Sequence, residues 1–116
     1  MDSYFGAWSS RADLEAFLGA PLEGDVVVAC HKPDQRYSYV LYVHDGKLYQ
    51  VNGAPPASAF NAEGQLIDPD RLFYWNPEEI QKKDLDYKLE IATLNNYFAG
   101  VEAEVLTVLQ DYVQTL

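Results

Sequence analysis

Between Tyr37 and Gly53 the chain reads YSYVLYVHDGKLYQVNG, two apolar runs separated only by Asp45-Gly46. A two-residue Asp-Gly linker between such runs is the strongest short-range signal for a β-hairpin, because both positions tolerate the positive φ that a type I′ turn requires. That turn pairs His44 with Lys47, Val43 with Leu48, Tyr42 with Tyr49, Leu41 with Gln50 and Val40 with Val51. One face of the hairpin then carries Val40, Tyr42, Tyr49 and Val51, and a slip of one residue would scatter the set. The register is therefore well specified.

Other segments arrange themselves around this hairpin. Asp25–His31 (DVVVACH) is a continuous apolar run, which suits a strand covered on both faces. The polar turn Lys32–Arg36 leads from it into the hairpin and makes a meander. Upstream, Ser10 reads as an N-cap with Asp13 three residues on, and Leu14, Phe17 and Leu18 form the apolar stripe of a short helix. Gly19 then stands where a helix ends and Pro21 prevents continuation. Met1–Trp8, with Tyr4, Phe5 and Trp8, reads as an aromatic strap packed on the domain.

Downstream of the hairpin, Gly53–Ser58 is a proline-broken loop and Asn61–Gln65 a turn. Leu66–Ile67 reads as extended, Asp68-Pro69-Asp70 as a turn, and Leu72–Trp75 as a short fourth strand or a buried segment. Asn76-Pro77-Glu78-Glu79 has the form of a helix start: cap, proline at the first position, acids in the first turn. From Asp84 to Leu116 the apolar period becomes 3.6. Leu85, Leu89 and Ala92 make one stripe; Val101, Val105, Val108, Tyr112 and Leu116 make another, widened by Leu109 and Val113. Asn95-Asn96 and Gly100 suggest a break into two helices, with one long helix as the alternative. The expected fold is one α+β domain spanning 1–116: a three- to four-stranded antiparallel β-meander, a short N-terminal helix, and one or two C-terminal helices laid on the sheet.

Charge narrows the function. Eighteen acidic residues against eight basic ones give a net charge of −10. Such a chain is a poor ligand for nucleic acid or anionic membranes, since each phosphate contact needs a cation. Cys30 is the only cysteine, so no internal disulfide is expected, and no apolar run is long enough to span a bilayer. The N-terminal residues lack the pattern of a secretory leader. Together these features point to a soluble, cytoplasmic protein.

No catalytic constellation is legible. Cys30 and His31 are adjacent on a strand and point to opposite faces, so they cannot form a nucleophile–base couple. His44 flanks the hairpin turn and reads as exposed. No spacing of Cys and His suits a metal, and no phosphate-binding loop or nucleophile elbow occurs. The expectation is a protein without enzymatic activity, cofactor or metal.

What remains is the acidic C-terminal third. Residues 84–116 carry Asp84, Asp86, Glu90, Glu102, Glu104 and Asp111 against Lys88 alone, a net of −5, with Glu78 and Glu79 just upstream. These eight carboxylates are the expected partner-binding residues. They form either a solvated helix face or a surface that meets a cationic groove, with carboxylates standing in for phosphates. Tyr37 and Tyr39, as exposed sheet tyrosines, are a second candidate surface.

The string Asp45-Gly46-Lys47-Leu48-Tyr49-Gln50-Val51-Asn52-Gly53, preceded by Tyr37-Ser38 and a Val-Leu-Tyr strand, resembles a family of small bacteriophage proteins. Their sequences take the form DGKLYEVNGSHCSCYGLEGQWEPEE after an apolar strand. Glu63-Gly64-Gln65, Trp75, Pro77, Glu78 and Glu79 continue the likeness, as do Tyr4-Phe5-Gly6-Ala7-Trp8-Ser9-Ser10. It covers about half the chain and departs from it twice. Ala54-Pro55-Pro56-Ala57-Ser58 replaces the His-Cys-x-Cys segment, so no metal or thiol role carries over, and Leu66–Tyr74 separates Gln65 from Trp75. The resemblance implies a phage or mobile-element origin. By analogy it also implies an inhibitor of host defence, such as an anti-CRISPR protein that occupies a nucleic-acid-binding surface. The alternative is an immunity or antitoxin protein that neutralises a partner toxin.

Overall fold

A computed structural model describes residues 2–32, 37–52, 61–65, 75, 77–94 and 103–116. Among these the chain is α+β, with a five-stranded mixed sheet and three helices. The strands are β1 (Ser3–Gly6), β2 (Asp25–Lys32), β3 (Tyr37–His44), β4 (Lys47–Asn52) and β5 (Glu78–Ile80); the helices are α1 (Arg11–Leu18), α2 (Lys82–Leu94) and α3 (Ala103–Val113). Spatial order follows sequence order, β1-β2-β3-β4-β5.

The central hairpin forms in the register its turn dictates: His44 faces Lys47, Tyr42 faces Tyr49 and Val40 faces Val51. Asp45 and Gly46 have φ of +51° and +72°, as a type I′ turn requires. In β2 a bulge between Val26 and Val28 interrupts the pairing with β3. Val26 consequently packs on one side of the sheet while Val27 and Val28 both serve the other.

Three expectations need correction. The sheet is not a pure antiparallel meander, because the N-terminal strap is a strand. Ser3–Gly6 pairs in parallel with β2, Ser3 opposite Val28 and Gly6 opposite His31. Parallel neighbours need a crossover, and the helical segment Arg11–Leu18 supplies it. Second, Glu78–Ile80 is not helical but forms edge strand β5, with Ile80 buried across from Leu48. Pro77 precedes an edge strand, where its missing N–H costs no ladder bond. The helix begins only after Gln81, whose N–H donates to the Asp84 carboxylate at 2.7 Å and whose carbonyl accepts from the Asp84 N–H at 2.9 Å. Third, Tyr39 is 0% exposed, its hydroxyl donating to Gln50 Oε1 at 3.0 Å, so it presents no binding surface. The side chain of Tyr37 lies outside the described residues, as do Asn76, Leu72–Tyr74, the segments 53–60 and 66–71, and the junction 95–102. Two helices, α2 and α3, flank that junction.

The sheet separates two cores. On one side α2 and α3 lay Leu85, Val105 and Leu109 against Val27, Val28, Cys30, Tyr39, Leu41 and Ile80. On the other α1 lays Leu14 over Ala29, Val40, Tyr42 and Val51, with Trp8 and Leu22 closing the layer. The α1 helix has eight residues and leans on its caps. Ser10 accepts from the Asp13 N–H at 3.4 Å, and the Asp13 carboxylate accepts from the Ser9 N–H at 2.9 Å and its hydroxyl at 2.7 Å. Those bonds from Ser9 hold the Asp13 carboxyl below the usual range. Gly19, left-handed at φ +74°, returns its N–H to the Glu15 carbonyl.

Candidate functional site

The eight predicted carboxylates divide between elements and between jobs. Glu78, Glu79, Asp84, Asp86, Glu90, Glu104 and Asp111 are all exposed, and Glu102 lies outside the described residues. Two are engaged in holding the fold. Asp84 caps α2, and Glu104 grips Lys32 Nζ with both oxygens at 3.0 Å, tying α3 to the end of β2. The α-helical repeat sets Asp111 on the same outer face as Glu104, two turns on. On α2, Asp86 and Glu90 stand four residues apart and exposed, about 100° and 140° round the helix from buried Leu85. Among the described residues no lysine or arginine lies within ion-pair range of Asp86, Glu90 or Asp111.

The one lysine between Asp84 and Leu116 turns inward. Lys88 Nζ sits 4.7 Å from the centre of the Tyr39 ring. Burial pushes its ammonium below the usual lysine range, and Glu78 opposes that shift. The C-terminal carboxylates are thus left with Lys82 and Lys83 as their exposed cationic neighbours on α2.

Pairing register divides the two edge glutamates. Gln50 opposes Glu78 and Tyr49 opposes Glu79, and directly opposed residues share a face. Glu78 therefore belongs to the α2/α3 side, whereas Glu79 stands beside Tyr49 on the α1 side.

That α1 side holds a cavity the sequence did not announce. It has a volume of about 460 Å³ and lies between the C-terminal end of α1 and the sheet, lined by Leu18, Pro21, Leu22, Tyr42, Tyr49 and Trp75, with Glu23 and His44 among the bordering residues. Tyr42 is the middle of three nearly parallel rings: Tyr49 at 5.4 Å and 18°, Trp75 at 5.7 Å and 16°. Tyr42 is 7% exposed and its neighbours are half-buried, so the accessible ring surface belongs to Tyr49 and Trp75. Arg11 braces the wall, donating to the carbonyls of Gly24 (2.7 Å) and Leu22, while Glu15 accepts from the Leu22 N–H at 2.7 Å. Gly24 adopts φ +124° against Val43, a close approach that a Cβ would block. On the rim His44 Nε2 lies 3.8 Å from Glu23 and 3.5 Å from Asp45.

His31 is the second feature missed. It faces away from Cys30, into the α1 side, 4% exposed and stacked on Trp8 at 4.6 Å. Its Nδ1 is 2.6 Å from Ser38 Oγ, its cross-strand partner. Burial pushes the imidazole below the ordinary histidine range, which favours the neutral ring. The signal was the succession of two apolar strands in sequence, whose antiparallel pairing sets His31 opposite Ser38. Ser38 is itself buried, and the pair is a satisfied polar contact inside the sheet.

Among the described residues no three His, Cys, Asp or Glu side chains gather closely enough to hold a metal ion, and no helix is long and apolar enough to cross a membrane. Comparison of the chain with models of protein families, with curated proteins and with solved structures finds no match.

Proposed function

We infer that the protein acts by binding rather than by catalysis, and that its partner is a nucleic-acid-handling protein with a cationic surface. The carrying observation is the outer face of α2 and α3, where Asp86, Glu90 and Asp111 stand exposed while Lys88, the intervening cation, is drawn under the helix onto Tyr39. A net charge of −10 steers such a surface toward basic partners and accelerates encounter with them. The bacteriophage resemblance of the hairpin directs the choice of partner to host-defence effectors, CRISPR nucleases first, with carboxylates taking the place of phosphates.

A panel of purified CRISPR effectors, restriction enzymes and toxins tests this function. One effector is expected to bind at micromolar concentration or tighter, to let go as salt shortens the Debye length from about 10 Å toward 3 Å, and to exchange this protein for its own nucleic acid. The triple reversal Asp86→Lys, Glu90→Lys, Asp111→Lys abolishes that binding with the melting temperature preserved. Binding indifferent to salt, reversal and nucleic acid defeats the proposal. Capture of a toxin instead assigns the protein to the immunity class.

A further inference from the structure

The aromatic cavity beside α1 has a chemistry of its own, on the face of the sheet opposite the helices α2 and α3. Its aromatic lining is a row of three rings, with Tyr49 and Trp75 on either side of Tyr42. Its polar surroundings carry more acids than bases, Lys47 opposite His44 being the nearby cation on this face. Glu23, its side chain 85% exposed, borders the cavity, and Glu79 is the cross-strand neighbour of Tyr49. Asp45 adds a third carboxylate next to His44. The carbonyl end of α1, where the wall begins, carries the negative end of the helix dipole and no basic residue in its last turn. Aromatic faces attract cations through their negative quadrupole, and desolvation strengthens the attraction.

We propose that this cavity receives an arginine side chain of a protein partner. The guanidinium lies against the ring row that Tyr49 and Trp75 bound on either side of Tyr42 and reaches Glu23 or Glu79, while its methylene stem lies along Leu18 and Pro21. Arginine fits better than lysine because its planar, weakly hydrated head stacks on rings and meets a carboxylate with two parallel N–H groups. An anionic or phosphorylated ligand would meet Glu23 at the border, with Asp45 and Glu79 close by. The site does not depend on the acidic helix face, and each stands or falls alone.

The test uses the whole chain and the side-chain NMR signals of its two tryptophans, Trp75 in the cavity and Trp8 beside His31. N-acetyl-arginine-methylamide, titrated to ~10 mM as befits a millimolar fragment, shifts the Trp75 indole resonance saturably and leaves Trp8 still. The citrulline analogue, which keeps the shape and loses the charge, binds about tenfold more weakly, in the range a desolvated cation–π contact supplies. Glu79→Gln and Glu23→Gln each weaken arginine binding severalfold without altering the fold, and Tyr49→Leu, which keeps an apolar side chain, removes the arginine preference. The triple reversal of Asp86, Glu90 and Asp111 leaves the titration unchanged. Equal binding of citrulline and arginine, movement of Trp8 instead of Trp75, or no saturable shift at all overturns the proposal.

Discussion

The two faces of the sheet are covered in different ways. The α2/α3 face is sealed by two helices of 13 and 11 residues, whose stripes set Leu85, Val105 and Leu109 against strand residues that are mostly aliphatic. Among the described residues the α1 face is covered by one helix of eight residues, and its layer is completed by Trp8 and a row of aromatic rings. A short helix cannot cover a five-stranded sheet. The part that no described helix covers is where the cavity lies, over Tyr42 and Tyr49. Branched aliphatic side chains interdigitate and close a face; large flat rings at its margin leave room between them. One side of the molecule therefore keeps its chemistry outside, on exposed carboxylates, and the other offers it inside a hollow.

Truncating the core of each face breaks or supports this contrast most directly. Leu109→Ala, in the sealed core, is expected to cost about 2–5 kcal/mol, whereas Leu18→Ala, already facing the cavity, should cost about 1–2 kcal/mol, because less packing is lost. Urea denaturation measures both, and equal costs would mean that the two faces are equally closed. The next effect belongs to the cap of α1. Ser10→Ala should cost about 1 kcal/mol and speed hydrogen exchange in α1 but not in α2 or α3. Uniform acceleration in all three helices would argue that the faces do not behave as separate layers.

A smaller, pH-dependent effect singles out the α1 side. His31 is held neutral by burial, so its folded-state pKa lies below the ordinary value of 6.5. Below that value the unfolded chain binds a proton that the folded chain resists, and stability falls as pH drops. The loss should diminish in His31→Gln, and an unchanged pH profile in that variant would show that the histidine is not its source. The smallest effect belongs to the carboxylates. Asp86→Lys with Glu90→Lys should leave stability within about 0.5 kcal/mol, and a larger change would show that these acids support the fold instead of only facing outward.

The acidic residues were legible as a surface because charge predicts exposure. Their partition was not legible. That Glu78 and Glu79 belong to opposite faces follows only from pairing Gln50 and Tyr49 with a strand that the local pattern Asn76-Pro77-Glu78-Glu79 presents as a helix. The cavity was half visible. Tyr42 and Tyr49 share a face by the turn alone, but Trp75 and the Leu18–Glu23 wall join them from separate parts of the chain. The burial of Tyr39 was equally hidden, since it depends on what α2 and α3 place over the sheet.

Features with a short-range cause could be read from the residues: the Asp45-Gly46 turn and its register, the Ser10 cap, the Gly19 stop, and the 3.6-residue period of the C-terminal helices. In each, a few consecutive side chains select one backbone geometry, so neighbours in sequence suffice. Features without such a cause waited for tertiary structure. The parallel docking of Ser3–Gly6 on β2, the bulge at Val27, the strand at Glu78–Ile80 and the 2.6 Å contact of His31 with Ser38 each depend on partners from another element. At Ile80 a local preference for helix, worth about 1 kcal/mol in a cap, met the burial of a large apolar side chain, worth about 1.5–3 kcal/mol. Burial outweighs the cap, and only the folded sheet could supply it.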